Sequence, residues 1–237
     1  MKILVTICAR GGSKGVKNKN IREISGKPLI LYTIETAKKW GKADRIVCSS
    51  DSSDILEIAE KHGVEVPFIR PKELANDDIG KIDVIRHAAI KCEKIFKEKY
   101  DIIVDLDVTA PIRKPSDLDN CLKIFNEKKA DVVFSVVPAR KNPYFNMVEE
   151  KEDGFVKLVK PLEKYVLSRQ NTPKVYDLNA SIYFYDREFL FDKKNETVTS
   201  TDKAAVYVMD DISAVDIDSE LDLKFIGFLI DNKEVKL

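Results

Sequence analysis

Short β-rich runs alternate with amphipathic helical stretches through residue 136, and this alternation constrains the chain more than any other feature. KILVTIC (2–8), RIVCSS (45–50), DIIVDLDV (101–108) and DVVFSVV (131–137) are apolar, rich in β-branched residues and too short for helices. Between them lie helical patterns. Pro28 suits a first helical turn, with Leu29, Ile30, Ile34 and Ala37 on one face and Gly41 near the end. Ile55, Ile58, Ala59 and His62 repeat that spacing before Gly63, a further helix covers roughly 80–98, and Ser116 is placed to cap one whose inner face is Leu118, Cys121, Leu122 and Phe125. VEVPFIRP (64–71) reads as a short strand. The order predicts an α/β fold, a mostly parallel Rossmann-like sheet flanked by helices.

From 138 to 178 the pattern breaks into short charged segments with frequent turn signals, which predicts an inserted arm of hairpins. Such an arm suits covering a site or pairing with a second subunit, and the sequence leaves both open. ASIYFYD (180–186) and AAVYVMD (204–210) are two further strands, and the final helix starts at Ser219 with Asp222 three residues on, a capping-box pattern. The 237 residues suit one domain, 1–237, with 138–178 as a sub-domain.

The 40 basic and 40 acidic residues balance, and aromatic and basic residues are not interleaved, so nucleic acid is not an expected partner. The longest apolar runs, such as FIGFLI (225–230), are too short to span a bilayer, and the start lacks a signal-peptide pattern, so the expected location is cytoplasmic, without a membrane partner. Cys8, Cys48, Cys92 and Cys121 are scattered without CxxC spacing and read as reduced thiols rather than a zinc or disulfide framework.

The stretch ARGGSKGVKNKN (9–20) follows the first strand with three glycines and four basic residues. It meets neither GxxxxGK[ST] nor GxGxxG. Its position at the carboxyl edge of an α/β sheet is nevertheless where such sheets bind ligands, and backbone N–H groups beside cations suit an anion. Taken alone, it is equally a solvated lysine-rich turn.

Four further stretches occur in order: FIRPKELANDD (68–78), DVTAPIR (107–113), RQNTPKVYDLNASIY (169–183) and VDIDSELDL (215–223). With ARGGSKGVKNKNI they resemble the CMP-sugar synthetases of nine-carbon acidic sugars, the acylneuraminate cytidylyltransferase family, along nearly the whole chain. The resemblance implies a homodimer and a reaction between CTP and a nonulosonic acid.

By that resemblance Arg10, Ser13 and Lys14 meet the CTP phosphates, Gly11 and Gly12 let the backbone approach them, Asn20 lies near base and ribose, and Arg70 lies near the cytosine. Lys81, where the family commonly has serine, is a candidate for the nucleotide phosphates or a solvated helix lysine. Arg169 matches an arginine beside the sugar carboxylate, and Gln170, Asn179 and Tyr183 match the sugar pocket or its wall; Ala180 stands where glycine is frequent. Asp216 and Asp218, two apart in an extended segment, present both carboxylates to one face, and the family uses this pair for Mg2+; Mn2+ is the other candidate cofactor.

Asp107 departs from the glutamine of the sialic acid enzymes. An ionised carboxylate only accepts hydrogen bonds, so the sugar group facing it should differ. Together TICARGGSKGVKNKNIR, DLDVTAPIR and YDLNASIY look closest to the legionaminic acid branch, whose sugar carries a second acylamino group. The implied chemistry is direct displacement at the α-phosphorus of CTP, with Arg10, Lys14, Asp216 and Asp218 as the catalytic set. Neither His62, in a helix's last turn, nor His87, within an amphipathic helix, is placed as a general base. Competing readings are the same reaction on sialic, pseudaminic or the shorter Kdo sugar, and a non-catalytic nucleotide- or nucleic-acid-binding module.

Overall fold

The computed structural model describes residues 1–13, 15–76, 78–164 and 167–235. Strand β1 (Ile3–Cys8) leads into the glycine-rich loop and a 3-10 turn (Lys19–Ile21), followed by the two-residue strands β2 (Glu23–Ile24) and β3 (Lys27–Pro28). Helix α1 (Leu29–Trp40), strand β4 (Arg45–Ser49), helix α2 (Ser53–Lys61), helix α3 (Lys81–Phe96) and strand β5 (Ile102–Leu106) come next. Helix α4 (Pro115–Lys128) and strand β6 (Val132–Pro138) precede the hairpin of β7 (Val148–Glu150) and β8 (Val156–Leu158). Strand β9 (Tyr176–Asp186), helix α5 (Arg187–Phe191), strand β10 (Ala204–Val208) and helix α6 (Glu220–Asp231) complete the order.

Six strands form one sheet in the order β10-β6-β9-β5-β1-β4. All neighbours are parallel except β9, which runs antiparallel to both β5 and β6. Because side chains alternate along each strand, Val5, Ile7 and Val104 enter a core shared with Leu29, Ile34 and Leu122, while Leu4 and Ile103 enter one shared with Ile85 and Tyr185. From β1 the chain steps outward to β4 and later returns to β5 on the other side, so the sheet reverses its winding between β1 and β5. Ligands of such sheets sit outside the carboxyl ends of the strands at that reversal.

Three local expectations shift. VEVPFIRP contributes only one parallel bridge, Val47 to Glu65, because Pro67 and Pro71 lack the N–H groups a strand needs. Helix α4 starts at Pro115 rather than after Ser116: proline occupies the first helical position and the Asp117 carboxylate accepts the Lys114 N–H at 2.7 Å. Tyr176, Asp177 and Leu178 pair with Pro138, Val137 and Val136, so the sheet takes both ends of the segment expected as an arm.

Candidate active site

The loop after β1 is tied in place by its own side chains. The Asn20 amide, 6% exposed, donates to the Arg10 carbonyl at 2.9 Å, which closes the loop over ten residues. The Gly11 N–H donates to the Asp51 carboxylate at 2.9 Å, so it already has an anionic partner within the protein. Gly15 is fixed by space: a Cβ there would lie 2.0 Å from the carbonyl oxygen of Asp218. Lys14 lies outside the described residues.

A cleft of about 400 Å3 opens where the sheet reverses. The first loop contributes Arg10, Ser13 and Asn20, and the rest of the chain brings Arg70, Lys81, Asp107 and Asp218 to the same walls. Arg70 is 4% exposed; its Nε donates to the Ser49 hydroxyl at 3.1 Å and its Nη2 to the Ser49 carbonyl, which anchors the guanidinium on the end of β4. The cleft thus gathers cations from three separate segments, the arrangement a polyphosphate requires.

A charged cluster forms the cleft floor. Asp105 on β5 pairs in register with Thr6 on β1 and Tyr183 on β9, and Asp107, two residues on, follows on the same side. Lys81, the first residue of α3, reaches both: its ammonium binds the Asp107 carboxylate and lies 3.3 Å from Asp105 Oδ2 and 4.6 Å from the centre of the Tyr183 ring. Asp107 Oδ1 accepts the Thr109 N–H at 2.9 Å and its hydroxyl at 3.0 Å. Burial alone would raise the Asp107 carboxyl, but the Lys81 ammonium and the Thr109 donors outweigh it and bring the pKa down to about 2. Asp105 is fully buried and its pKa is raised by that burial, against the pull of Lys81 and the Thr6 hydroxyl at 2.8 Å. Lys81 therefore meets carboxylates here rather than open solvent.

Asp216 and Asp218 follow the 3-10 turn Asp211–Ala214 and precede α6. Asp216 Oδ1 is buried with no hydrogen-bond partner. Its pKa is raised, first by burial and further by the Asp107 and Asp218 carboxylates, while the Thr109 hydroxyl opposes the shift. A buried carboxylate oxygen without a hydrogen-bond partner, within the electrostatic reach of Asp107 and Asp218, fits a divalent cation. Among the described residues no group of three or more His, Cys, Asp or Glu is placed to hold one by itself, so phosphate oxygens and water would complete the coordination, as is usual for Mg2+. Asp218 also accepts from Lys19 at 3.1 Å, and Lys19 donates to the Ile217 carbonyl.

The expected sugar residues divide. Arg169 and Gln170 lie apart from that cleft: they line a second groove with Pro138, Asn142, Thr172 and Tyr176 at the root of the arm, where Arg169 Nη2 donates to the Ala139 carbonyl. Asn179 is 4% exposed and committed to the fold: its amide donates to the Ser213 carbonyl at 3.0 Å and its carbonyl accepts from Ser135 at 2.7 Å. Tyr183 is buried, stacked on Tyr185 at 6.0 Å and presented to Lys81. Ala180 has φ 55°, which explains why glycine suits that position.

Gly15, Lys19 and Asp105 were not singled out in the sequence. Asp105 carried a readable signal, a carboxylate inside an apolar run destined for a central strand. Lys19 carried none that set it apart from its basic neighbours.

With its sheet reversal, cationic cleft and facing carboxylates, the molecule has the construction of an α/β nucleotidyltransferase. The chain belongs to the cytidylyltransferase family, whose model matches residues 4–229. It is 45% identical to the post-translational flagellin modification protein B of Campylobacter coli over 99% of this chain and 97% of that one. It is 44% identical to the CMP-N,N'-diacetyllegionaminic acid synthase of Campylobacter jejuni, again over 99% and 97%. A structure of CMP:2-keto-3-deoxy-manno-octonic acid synthetase complexed with CTP superposes with a TM-score of 0.71 at 16% identity, covering 98% of this chain and 100% of that one.

Proposed function

We propose that this protein transfers CMP from CTP to the anomeric hydroxyl of a nine-carbon acidic sugar, N,N'-diacetyllegionaminic acid, and releases pyrophosphate. The observation that carries the reading is the single cleft in which Arg10, Ser13, Asn20 and Arg70 face Asp107 and Asp218. The sugar is chosen on the 44% identity to a synthase of that CMP-sugar and on Asp107.

In this reading Arg10, Ser13, Lys14 and the backbone at Gly12 hold the triphosphate, with Asn20 and Arg70 toward the nucleoside. The anomeric hydroxyl gives its proton to solvent as its oxygen bonds to the α-phosphorus, the bond from the α-phosphorus to the bridging oxygen breaks with its electron pair leaving on pyrophosphate, and that charge is met by the cations of the first loop. Asp216 and Asp218 would hold Mg2+ or Mn2+, which supplies charge neutralisation and a lowered pKa for the sugar hydroxyl. Neither histidine offers a better base: His62 binds the Ile58 carbonyl at 2.8 Å, and His87 packs edge-on against Phe68 with its pKa lowered by burial.

The second groove gives Arg169 and Gln170 a role if the protein is a homodimer whose arm carries them to the partner's cleft. Large apolar side chains exposed on the arm support this, among them Phe155 at 70% and Leu167 at 90%. A cytoplasmic location is supported by the four free cysteines, which suit a reducing compartment.

The test is pyrophosphate release with CTP and Mg2+ on diacetyllegionaminic, N-acetylneuraminic and pseudaminic acids in parallel. Preference for the first is expected. Turnover of only one of the others would keep the chemistry and change the sugar, and binding of CTP without any turnover would favour a binding module.

A further inference from the structure

The floor of the cleft holds a cation that belongs to the chain. The Lys81 ammonium contacts one oxygen from each of two carboxylates, Asp107 Oδ2 and, at 3.3 Å, Asp105 Oδ2, and it stands 4.6 Å from the centre of the Tyr183 ring. Around a positive charge this is a cage, two anionic oxygens and the electron-rich face of an aromatic ring. Other contacts set both carboxylates, so the cage does not depend on Lys81 for its shape. Asp105 lies in register with Thr6 and Tyr183 within the sheet and its Oδ1 accepts the Thr6 hydroxyl at 2.8 Å, while Asp107 Oδ1 takes both Thr109 donors.

Charge, rather than a directed hydrogen bond, joins the ammonium to Asp105. Asp105 Oδ2 is buried without a hydrogen-bond partner although Lys81 Nζ is 3.3 Å away. Lys81 is the first residue of α3, where the helix dipole disfavours a cation, and an uncharged side chain there would leave the fully buried Asp105 with no counter-charge. Phosphate binding does not account for the cluster, because its one positive and two negative charges sum to about −1 and offer a triphosphate no attraction. They would attract a second cation, and Asp107 lies within electrostatic reach of Asp216, so the cage and the Asp216–Asp218 pair are neighbours.

We infer that the Lys81 ammonium is a resident cation: it fills, as part of the chain, a site that Asp105 and Asp107 would otherwise offer to a second divalent ion, and so confines the exchangeable metal to Asp216 and Asp218. Hard divalent cations need only one or two carboxylates, with water completing the shell, so the emptied cage would suffice for one. The inference goes beyond the function proposed above. It takes from that reading only the assignment of metal to Asp216 and Asp218, and it replaces the expected contact of Lys81 with phosphate. The charge on this side of the cleft is then independent of metal supply, and the protein's own carboxylates recruit a single divalent ion.

The experiment counts Mn2+ bound to the nucleotide-free protein from the loss of the free-ion EPR signal, in the wild type, Lys81→Ala and Lys81→Ala/Asp105→Asn. Titration runs to about 1 mM Mn2+ at about pH 8, conditions under which weak carboxylate sites fill and stay deprotonated. Expected are one more ion per chain in Lys81→Ala than in the wild type, and the wild-type count again in the double variant, which lacks one wall of the cage. Lys81→Ala deprives two carboxylates of their shared counter-charge, so its Tm is read with and without Mn2+, which should raise it more than it raises that of the wild type. An equal count in folded Lys81→Ala, an extra ion that persists in the double variant, or a Lys81→Ala that is unfolded and that Mn2+ does not refold would each overturn the inference. A wild type that binds no Mn2+ would instead overturn the assignment of metal to Asp216 and Asp218, and the difference between Lys81→Ala and wild type would still read the cage by itself.

Discussion

Gly15 shows how narrowly one position can be set. A methyl group there would fall 2.0 Å from the Asp218 carbonyl oxygen, and because the obstacle is backbone, the loop and the carboxylate segment would have to part. Gly15→Ala is expected to cut kcat/KM by about a hundredfold through misplacement of groups that must act together; a variant within threefold of the wild type would show that the two segments need not touch. Asp107 gives a second prediction. Its folded pKa, about 2, lies below the ordinary carboxylate value, so ionisation favours the fold. The sign follows: this stabilisation is complete above about pH 4 and is lost as pH falls from 4 toward 2. Unfolding free energies of wild type and Asp107→Asn from urea titrations should therefore converge over that window by up to about 2 kcal/mol, and a constant gap would place the carboxylate outside any such ion pair. Asp216 and Asp218 stood out because two carboxylates two apart in an extended segment are expected to share a face; in the structure Asp218 lines the cleft while Asp216 Oδ1 is buried. Lys19 was not, since its partner Asp218 lies 199 residues away and one lysine among four basic residues carries no mark of that distance.

Among the elements, α6 follows most directly from its sequence. The Ser219 hydroxyl accepts the Asp222 N–H at 3.3 Å, and Asp222 returns a bond to the Ser219 N–H at 2.8 Å, so the capping box forms as the residue types dictate. Ser219→Ala is expected to lower stability by about 1 kcal/mol and Tm by about 2–4 °C, which calorimetry would read; an unchanged Tm would mean that Asp222 alone holds the helix start. Strand β9 was legible as a strand but not in its direction. The clue lay in what separates it from β6, since a parallel neighbour needs a crossover, usually helical, and residues 138–178 carry no helical periodicity. The antiparallel pairing of β9 with both neighbours is the consequence. On β5, by contrast, the β-branched residues announced the strand so clearly that the carboxylate within it passed as ordinary.

At the scale of the molecule, the alternation of strands and helices was enough for the layers and for a site at the sheet's carboxyl edge, because both follow from connection rules. The separation of Arg169 and Gln170 from the cleft that Asp107 lines was not readable, since it depends on how the arm stands relative to the cleft. The homodimer reading makes this division useful and is open to test: light scattering should return twice the chain mass. Phe155→Glu combined with Leu167→Glu should shift the protein toward monomer and raise KM for the sugar more than for CTP, whereas a monomeric wild type with full activity would remove the arm from the reaction.

The cleft is also closed by partners from opposite ends of the chain: Gly15 rests on Asp218, Lys19 binds Ile217 and Asp218, and Arg22 forms a two-pronged ion pair with Glu220. During translation the glycine-rich loop after β1 leaves the ribosome about 10–40 s before Asp216 and Asp218, at about 5–20 residues per second, and all six strands of the main sheet have been made by Val208. A stalled product therefore contains the whole sheet yet lacks Asp216, Asp218 and α6. Under the function proposed above, the cation-bearing loop is made first and the carboxylates assigned to the metal last, so the two halves of the cleft meet only once the chain has been synthesised past Asp218.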